Sequence, residues 1–451
     1  MSNYRTHPLS TTSLPPGIPY IVANEAAERF SYYGMRAILV VFMTQYLLGD
    51  NGQLATMSED EAKGYYHLFV SAVYITPLFG ALLADGILGK YRTIIFLSLI
   101  YCIGHFVLAL DETRSGLFAG QALIALGAGG IKPCVSAHVG DQFSQRNHKL
   151  LSKVFGWFYI AINLGAFVSM LLTPWLLLNY GANVAFAVPG VLMLLATIVF
   201  WSGRRQFAHI PPAGMNFIRD VLSREGIQVI GKLFVIYLFV AMFWALFDQT
   251  GSSWVLQAQQ MDRDVFGYIL LPSQIQAANP LLIILLVPLF SSTLYPLLNR
   301  FFELTSLRKI AIGMFLAALA FAISSWIQQR IETGEQPHIL WQMLAYLVLT
   351  SAEVMVSITC LEFSYTQAPR KMKSFIMAFF MLSIALGNLF TSLVNFFIQN
   401  SDGTSKLAGA SYFWFFTGLM LITAFGFMWM IRFYKETTIF QNEVADQTLV
   451  D

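Results

Sequence analysis

Charge is scarce in this 451-residue chain: Asp, Glu, Lys and Arg make up 12% of it, against about 25% in soluble globular domains. That shortage excludes an ordinary water-facing surface. Cysteine is scarcer still. Cys102, Cys134 and Cys360 are odd in number, and their separations match no metal-ligand spacing. Neither a disulfide framework nor a metal site is expected, and the three read as small core hydrophobes. No His-Glu-x-x-His, Gly-x-Ser-x-Gly or paired intramembrane Asp pattern occurs, so the chain is not read as an enzyme. It also lacks a Walker or other nucleotide signature. ATP is therefore not expected as an energy source, nor any cofactor. Met1 to Gly17 is polar and rich in Pro, Ser and Thr, without the basic start and apolar core of a cleavable signal peptide.

What fills the chain instead is apolar: 56% of residues are hydrophobic. Apolar stretches of membrane-spanning length recur near 19–48, 65–88, 93–110, 115–138, 150–178, 183–203, 229–252, 274–298, 307–327, 339–361, 375–399 and 409–433. The reading is an all-α integral membrane protein of about twelve transmembrane helices in two six-helix bundles. Residues 1–203 form the first bundle, 204–228 a basic linker, 229–435 the second bundle and 436–451 a short acidic tail. Within the linker, Ile218, Val221, Leu222 and Ile227 suit a short amphipathic helix.

The net charge of +2 conceals an ordered pattern. Connections such as Lys90–Arg92, Arg146–Lys149, Arg204–Arg205, Arg308–Lys309 and Arg370–Lys373 are basic. The alternate ones carry Asp50, Glu59, Asp60, Asp111, Glu112, Asp262 and Asp264. By the positive-inside rule, both termini and the basic loops are expected in the cytoplasm and the chain in the plasma (inner) membrane, crossing it many times. The cations are scattered among short loops, so no nucleic acid is expected as a partner.

Within the spans a few polar residues stand out. From Asn24 to Arg36 a helix would bring Glu25, Glu28, Arg29, Tyr32 and Arg36 to one face, with Ile, Val, Ala, Leu and Met opposite. Each ionisable group in a span costs roughly 2.5–3.5 kcal/mol on insertion scales, so such groups usually line a substrate or ion path. The flanks are too apolar for a wet helix of i,i+4 ion pairs. Lys132 follows Gly127, Gly129 and Gly130 and precedes Pro133, residues that loosen a helix beside a site; snorkelling to the interface is the plainer alternative. Glu353 lies well inside the tenth span, with a structural pair to a Lys of its own bundle as the alternative. His67 is either a satisfied core histidine or a protonation switch with an ordinary pKa near 6.5.

Several blocks together resemble one family. Glu25-x-x-Glu28-Arg29-Phe30-x-Tyr32-Tyr33-Gly34, Phe158-Tyr159-Ile160-Ala161-Ile162-Asn163-Leu164-Gly165, Phe243-Trp244-Ala245-Leu246-Phe247-Asp248-Gln249 and Glu362-Phe363-Ser364-Tyr365-Thr366-Gln367-Ala368-Pro369 resemble the proton-dependent oligopeptide transporters of the major facilitator superfamily. The likeness runs over about residues 15–435. Tyr66-His67 with Tyr74-x-Thr76-Pro77 is closer to animal members than to many bacterial ones. The short linker and the eleven residues 328–338 leave no room for the extra helices or the large outer domain of some relatives.

The resemblance implies a proton-coupled symporter importing di- and tripeptides by alternating access, with protons as the coupling ion. Under it Arg36 and Lys132 hold the peptide carboxylate, Glu353 its amine, and Asn163 and Asn279 add neutral hydrogen bonds. Tyr32, Tyr74, Tyr159, Trp244 and Phe380 line the side-chain pocket, Phe380 standing where relatives often have Trp. Glu25, Glu28, Arg29, His67, Asp248 and Glu353 carry proton coupling. Arg36, Asp248, Lys232, Glu362 and Asp85 serve the gates, Asp85 within Gly80-x4-Asp85-Gly86-x2-Gly89-Lys90-x-Arg92, which otherwise reads as a Gly-rich turn. Partners are then peptides, protons and lipid, with a monomer expected. Another small solute, nitrate or a peptide-like compound, is the alternative cargo.

Overall fold

The computed structural model describes residues 4–212, 214, 223–367 and 373–434. Twelve long helices follow one another among them. α1 is Ile18–Val41, prolonged by a π-helical turn over Phe42–Tyr46. Then come α2 (Glu59–Leu88), α3 (Lys90–Leu110), α4 (Arg114–Gly140), α5 (Leu151–Tyr180), α6 (Ala182–Arg205), α7 (Gly226–Gln259), α8 (Pro272–Leu298), α9 (Ser306–Glu332), α10 (Leu340–Ser364), α11 (Phe375–Ile398) and α12 (Ala410–Ile431). The last eleven are long and apolar enough to cross a membrane. α1 equals them in length but carries Glu25, Glu28, Arg29 and Arg36.

Local chemistry sets the helix ends. Ser58 caps α2 by accepting from the Glu61 N–H at 3.2 Å, and Glu59, Asp60 and Glu61 then favour the positive end of the helix dipole. This cap starts α2 six residues earlier than the apolar run alone suggested. Thr113 and Thr305 cap α4 and α9 in the same way. Between α7 and α8 a two-residue hairpin turn at Phe266 and Gly267, both with positive φ, joins the short strands Asp264–Val265 and Tyr268–Ile269. Ile227 belongs to the first turn of α7, while Ile218, Val221, Leu222, Arg370, Lys371 and the tail 436–451 lie outside the described residues.

Two apolar cores organise the helices. One draws on α1–α6, through residues such as Phe42, Tyr101 and Phe186. The other draws on α7–α12, through Phe243, Phe321 and Phe416. Large apolar side chains such as Leu195, Leu285 and Phe425 point outward, which suits a lipid surround. Where helices cross most tightly, glycine makes it possible: a Cβ on Gly80 of α2 would collide with the Gly129 carbonyl of α4, and one on Gly387 of α11 with the Ala241 carbonyl of α7. The first crossing lies one turn before Lys132.

The connections α2–α3, α4–α5, α6–α7 and α8–α9, with the N-terminal segment, share one face, here called the basic face after Lys90, Arg92, Lys149, Arg204 and Lys309. Asp50, Glu112, Asp262 and Asp402 mark the opposite, acidic face.

Candidate functional site

The polar residues inside the bundles gather into three groups. The first joins the bundles near the acidic face. Arg36 of α1 places Nη2 2.5 Å from Asp248 Oδ1 of α7, and its Nε donates to the Tyr66 hydroxyl of α2 at 2.5 Å. Asp248 opens a 3₁₀ turn, Asp248–Gly251, that interrupts α7. Its Oδ2 accepts from Asn388 Nδ2 of α11 at 2.6 Å. The other end of that amide, Oδ1, lies 2.7 Å from His67 Nδ1, and His67 Nε2 lies 2.8 Å from Ser252 Oγ. Because Asn388 Oδ1 can only accept, His67 Nδ1 donates, and Nε2 is left to Ser252. Five side chains thus run in one chain, Tyr66–Arg36–Asp248–Asn388–His67, across α1, α2, α7 and α11. Further rungs bind α2 to α11: Ser71 Oγ donates to the Ala385 carbonyl at 2.9 Å, Ser392 Oγ to the Gly64 carbonyl at 2.8 Å, and Gln399 Nε2 to Ser58 Oγ at 3.0 Å.

The second group lies wholly within the first bundle. Arg29 Nε bonds Glu25 Oε1 at 2.8 Å and lies 3.3 Å from Glu28 Oε2. Glu28 Oε1 is 3.5 Å from Lys132 Nζ, and that ammonium sits 4.0 Å from the centre of the Tyr32 ring and 5.5 Å from that of Tyr74. Two carboxylates and two cations compensate one another in an apolar surround.

The third group lines a cavity of about 550 Å³ between the bundles. Arg29, Tyr33, Tyr159 and Asn163 come from α1 and α5; Asn279, Glu353 and Ser357 come from α8 and α10. Asn279 Nδ2 donates to Glu353 Oε2 at 2.6 Å and to Thr350 Oγ1 at 3.2 Å. Glu353 makes no ion pair among the described residues. A π-helical turn, Val354–Ile358, follows it directly and widens α10 beside the cavity. Ile162, Met170, Ile283 and Leu361 supply an apolar wall. The cavity therefore has a cation on one bundle, a carboxylate on the other, and oil between them.

Some expected residues fall elsewhere. Arg36 and Lys132 do not line the cavity: their side chains are 8% and 1% exposed behind Asp248 and Glu28, whereas that of Arg29 is 14% exposed. Trp244 packs between Phe243 and Phe247, and Phe380 against Tyr237, inside the second bundle's core. Asp85 lies in a π-helical turn at the end of α2, with Lys90 and Asp141 as its neighbouring charges. Lys232 and Glu362 are exposed. Lys232 stands about 24 Å along α7 from Asp248, at 1.5 Å per residue, so the two belong to different levels of the bundle. Tyr66, Asn388, Ser252 and Tyr33 were not anticipated. Tyr33 and Tyr66 stand in the motif blocks without a role of their own, while the only signal of Ser252 and Asn388 is polarity inside an apolar span, Asn388 between Gly387 and Leu389.

A two-bundle helical assembly with a charged cavity at mid-depth is the architecture of a multi-pass membrane transporter. The chain belongs to the POT family (PTR2), whose sequence profile matches residues 91–224 and 223–415. It is similar to solute carrier family 15 member 2 of Rattus norvegicus, 36% identical over 402 residues, which is 78% of this chain and 54% of that protein. It is likewise 38% identical over 376 residues to peptide transporter family 1 of Drosophila melanogaster, covering 72% of this chain and 50% of the other. The chain thus spans about half the length of the curated relatives it matches. Among solved structures, an auto-inhibited POT family peptide transporter superposes with a TM-score of 0.85 at 35% identity, covering 95% of this chain and 99% of that one. The POT family transporter PepTSo gives 0.82 at 36% identity, covering 93% and 98%. The fold is that of the major facilitator transporters.

Proposed function

We propose that the protein is a proton-coupled symporter that imports di- and tripeptides by alternating access. The observation that carries this reading is Glu353: a carboxylate on the cavity wall, steadied by an amide, with no cation of its own among the described residues. Such a group favours a ligand with an ammonium, and Arg29 on the opposite wall favours the same ligand's carboxylate. A zwitterion of peptide length satisfies both and draws the bundles together. Nitrate, an anion alone, meets Glu353 unfavourably, which argues against the alternative cargo.

The other cations enter by exchange. A proton on Glu28 removes the charge that holds Lys132, freeing that ammonium for the peptide carboxylate. A proton at the Asp248–Asn388–His67 chain weakens the hold on Arg36 and lets the acidic face part. Proton and peptide then favour the same states, the linkage a symporter needs. The basic face is assigned to the cytoplasm and the chain to the plasma membrane, with both termini inside. One chain supplies both bundles, so a monomer suffices.

The test is purified protein in liposomes under an inward proton gradient with labelled dialanine outside. The expected result is accumulation above the outside concentration, abolished by a protonophore. Uptake that a protonophore leaves unchanged would remove symport.

A further inference from the structure

The basic face holds another cavity, of about 360 Å³, lined by none of the residues that line the interbundle cavity. Three stretches far apart in sequence enclose it: Tyr4 and Thr6 of the N-terminal strap, the α2–α3 turn from Ile87 to Arg92, and His209–Pro212 beyond α6, with His138 of α4 buried among them. Specific bonds build this wall. Gln142 Oε1 accepts from the Ala208 N–H at 2.8 Å and its Nε2 donates to the Ala208 carbonyl at 3.4 Å. The His209 N–H donates to the Arg5 carbonyl at 2.7 Å. The His209 ring lies between Tyr4, stacked at 4.5 Å, and Tyr91, edge-on at 4.6 Å.

Three independent features of this cavity suit a tetrahedral oxyanion. α3, a helix of 21 residues, begins there at Gly89 (φ 79°) without a side-chain cap. The N–H groups of Lys90, Tyr91 and Arg92 thus have no intrahelical carbonyl. His138 is 1% exposed, and its Nε2 has no hydrogen-bond partner among the described residues; a buried imidazole nitrogen rarely stays unpaired. The charge is positive. Lys90 is largely spent on Asp141, at 2.8 and 3.1 Å, but Arg92 makes no ion pair among the described residues, and Arg92 and Arg5 lie close enough to His209 to act on its charge. Burial first, with Arg92 and Arg5 adding to it against the Arg204 carbonyl, holds His209 below the ordinary imidazole range; an anion in the cavity would reverse that field.

We propose that this cavity binds a phosphate group, supplied either by free phosphate or by the headgroup of an anionic lipid in the adjacent leaflet. Backbone N–H groups of α3, His138 Nε2 and Arg92 surround the oxyanion, and His209, whose Nε2 donates to the Arg204 carbonyl at 2.7 Å, adds an Nδ1–H when the anion draws a proton onto it. Occupancy fastens the N-terminal strap and the segment leading into the interbundle linker onto the α2–α3 turn.

The test uses the full chain, delipidated in detergent, titrated with inorganic phosphate against chloride at matched ionic strength. A parallel arm places it in nanodiscs of phosphatidylcholine with or without phosphatidylglycerol, followed by native mass spectrometry. The thermal midpoint should rise saturably with phosphate, with phosphatidylglycerol, or with both. Arg92→Gln and His209→Gln should each weaken that response about tenfold or more in apparent affinity, while the exposed Arg92 leaves the unliganded midpoint unchanged. Saturation by inorganic phosphate assigns the site to a soluble ligand; retention of phosphatidylglycerol alone assigns it to a lipid. His138→Gln is a third variant, and if it does not fold, the other two decide. A chloride-like, unsaturable response to both probes, or equal saturation in wild type and both variants, overturns the site.

Discussion

Buried charge is arranged differently in the two bundles. In the first, every ionised side chain of the Glu25–Glu28–Arg29–Lys132 cluster has its counterion in the same bundle. In the second, Asp248 and Glu353 have no cation of their own bundle among the described residues, and each is steadied by an asparagine at 2.6 Å, Asn388 and Asn279 respectively. Asp248 finds its cation across the interface, in Arg36. Glu353 faces the cavity. A pair within one bundle survives when the bundles rock; a pair between them cannot survive opening of that face. Under the proposed mechanism the Arg36–Asp248 contact is the latch, the first-bundle cluster a switch that stays put, and Glu353 a receptor for charge from outside.

The largest effect should come from breaking the latch. Asp248→Ala leaves Arg36 buried without a counterion, a change that typically costs about 3–5 kcal/mol. The thermal midpoint should fall, and a cysteine at Ser71, on the α2–α11 seam, should become open to a thiol reagent. Replacing both partners, Arg36→Leu with Asp248→Leu, should restore most of the midpoint without restoring transport. If Asp248→Ala melts with wild type, the pair is not what closes the acidic face.

Glu353 should behave in the opposite way. Glu353→Gln keeps the shape and removes the charge, and it strands no protein cation. The midpoint should hold or rise, while affinity for a free-amine dipeptide falls by about 1.5–3 kcal/mol, the worth of a charge-assisted bond. An N-acetylated dipeptide should distinguish little between the two forms. A drop in stability as large as that of Asp248→Ala would reveal a counterion for Glu353 and erase the contrast between the bundles.

The sequence reveals these groups unevenly, for physical reasons. Charges inside a long apolar run are conspicuous, so Glu25, Glu28, Arg29, Arg36, Lys132 and Glu353 stand out from the sequence, while Asp248 enters through the family resemblance. A helical wheel places Arg29 and Arg36 on one face but is blind to height. Seven residues apart, they lie about 10 Å apart along the axis, and so one lines the cavity while the other meets Asp248. The partner of His67 is Asn388, 321 residues away, a distance no local pattern spans. Trp244 and Phe380 show the reverse failing: aromatic rings look alike in sequence whether they line a pocket or fill a core.

The switch should tolerate the mildest structural change of the three. Glu25 and Glu28 share Arg29, and Lys132 has the Tyr32 ring besides Glu28. Glu25→Gln therefore leaves each cation with a carboxylate, at a cost of about 1 kcal/mol in stability, whereas Glu28→Gln leaves Lys132 the Tyr32 ring alone and should cost more. Function should split instead. A glutamine there imitates the protonated acid permanently, so Lys132 is more readily released to a peptide carboxylate and binding survives. The cycle can then run as exchange, because peptide entering on one face and leaving on the other requires no net proton movement. Net accumulation needs the carboxylate to lose its proton on the return, and glutamine cannot. In liposomes, each variant should exchange internal for external labelled dialanine near the wild-type rate, yet fail to concentrate it under an imposed proton gradient. Accumulation retained in both single variants would take this pair out of the coupling step. The protons would then travel by Asp248 and Glu353 of the second bundle with His67 of the first, so that two of the three carriers lie on the far side of the comparison that sets the two bundles apart.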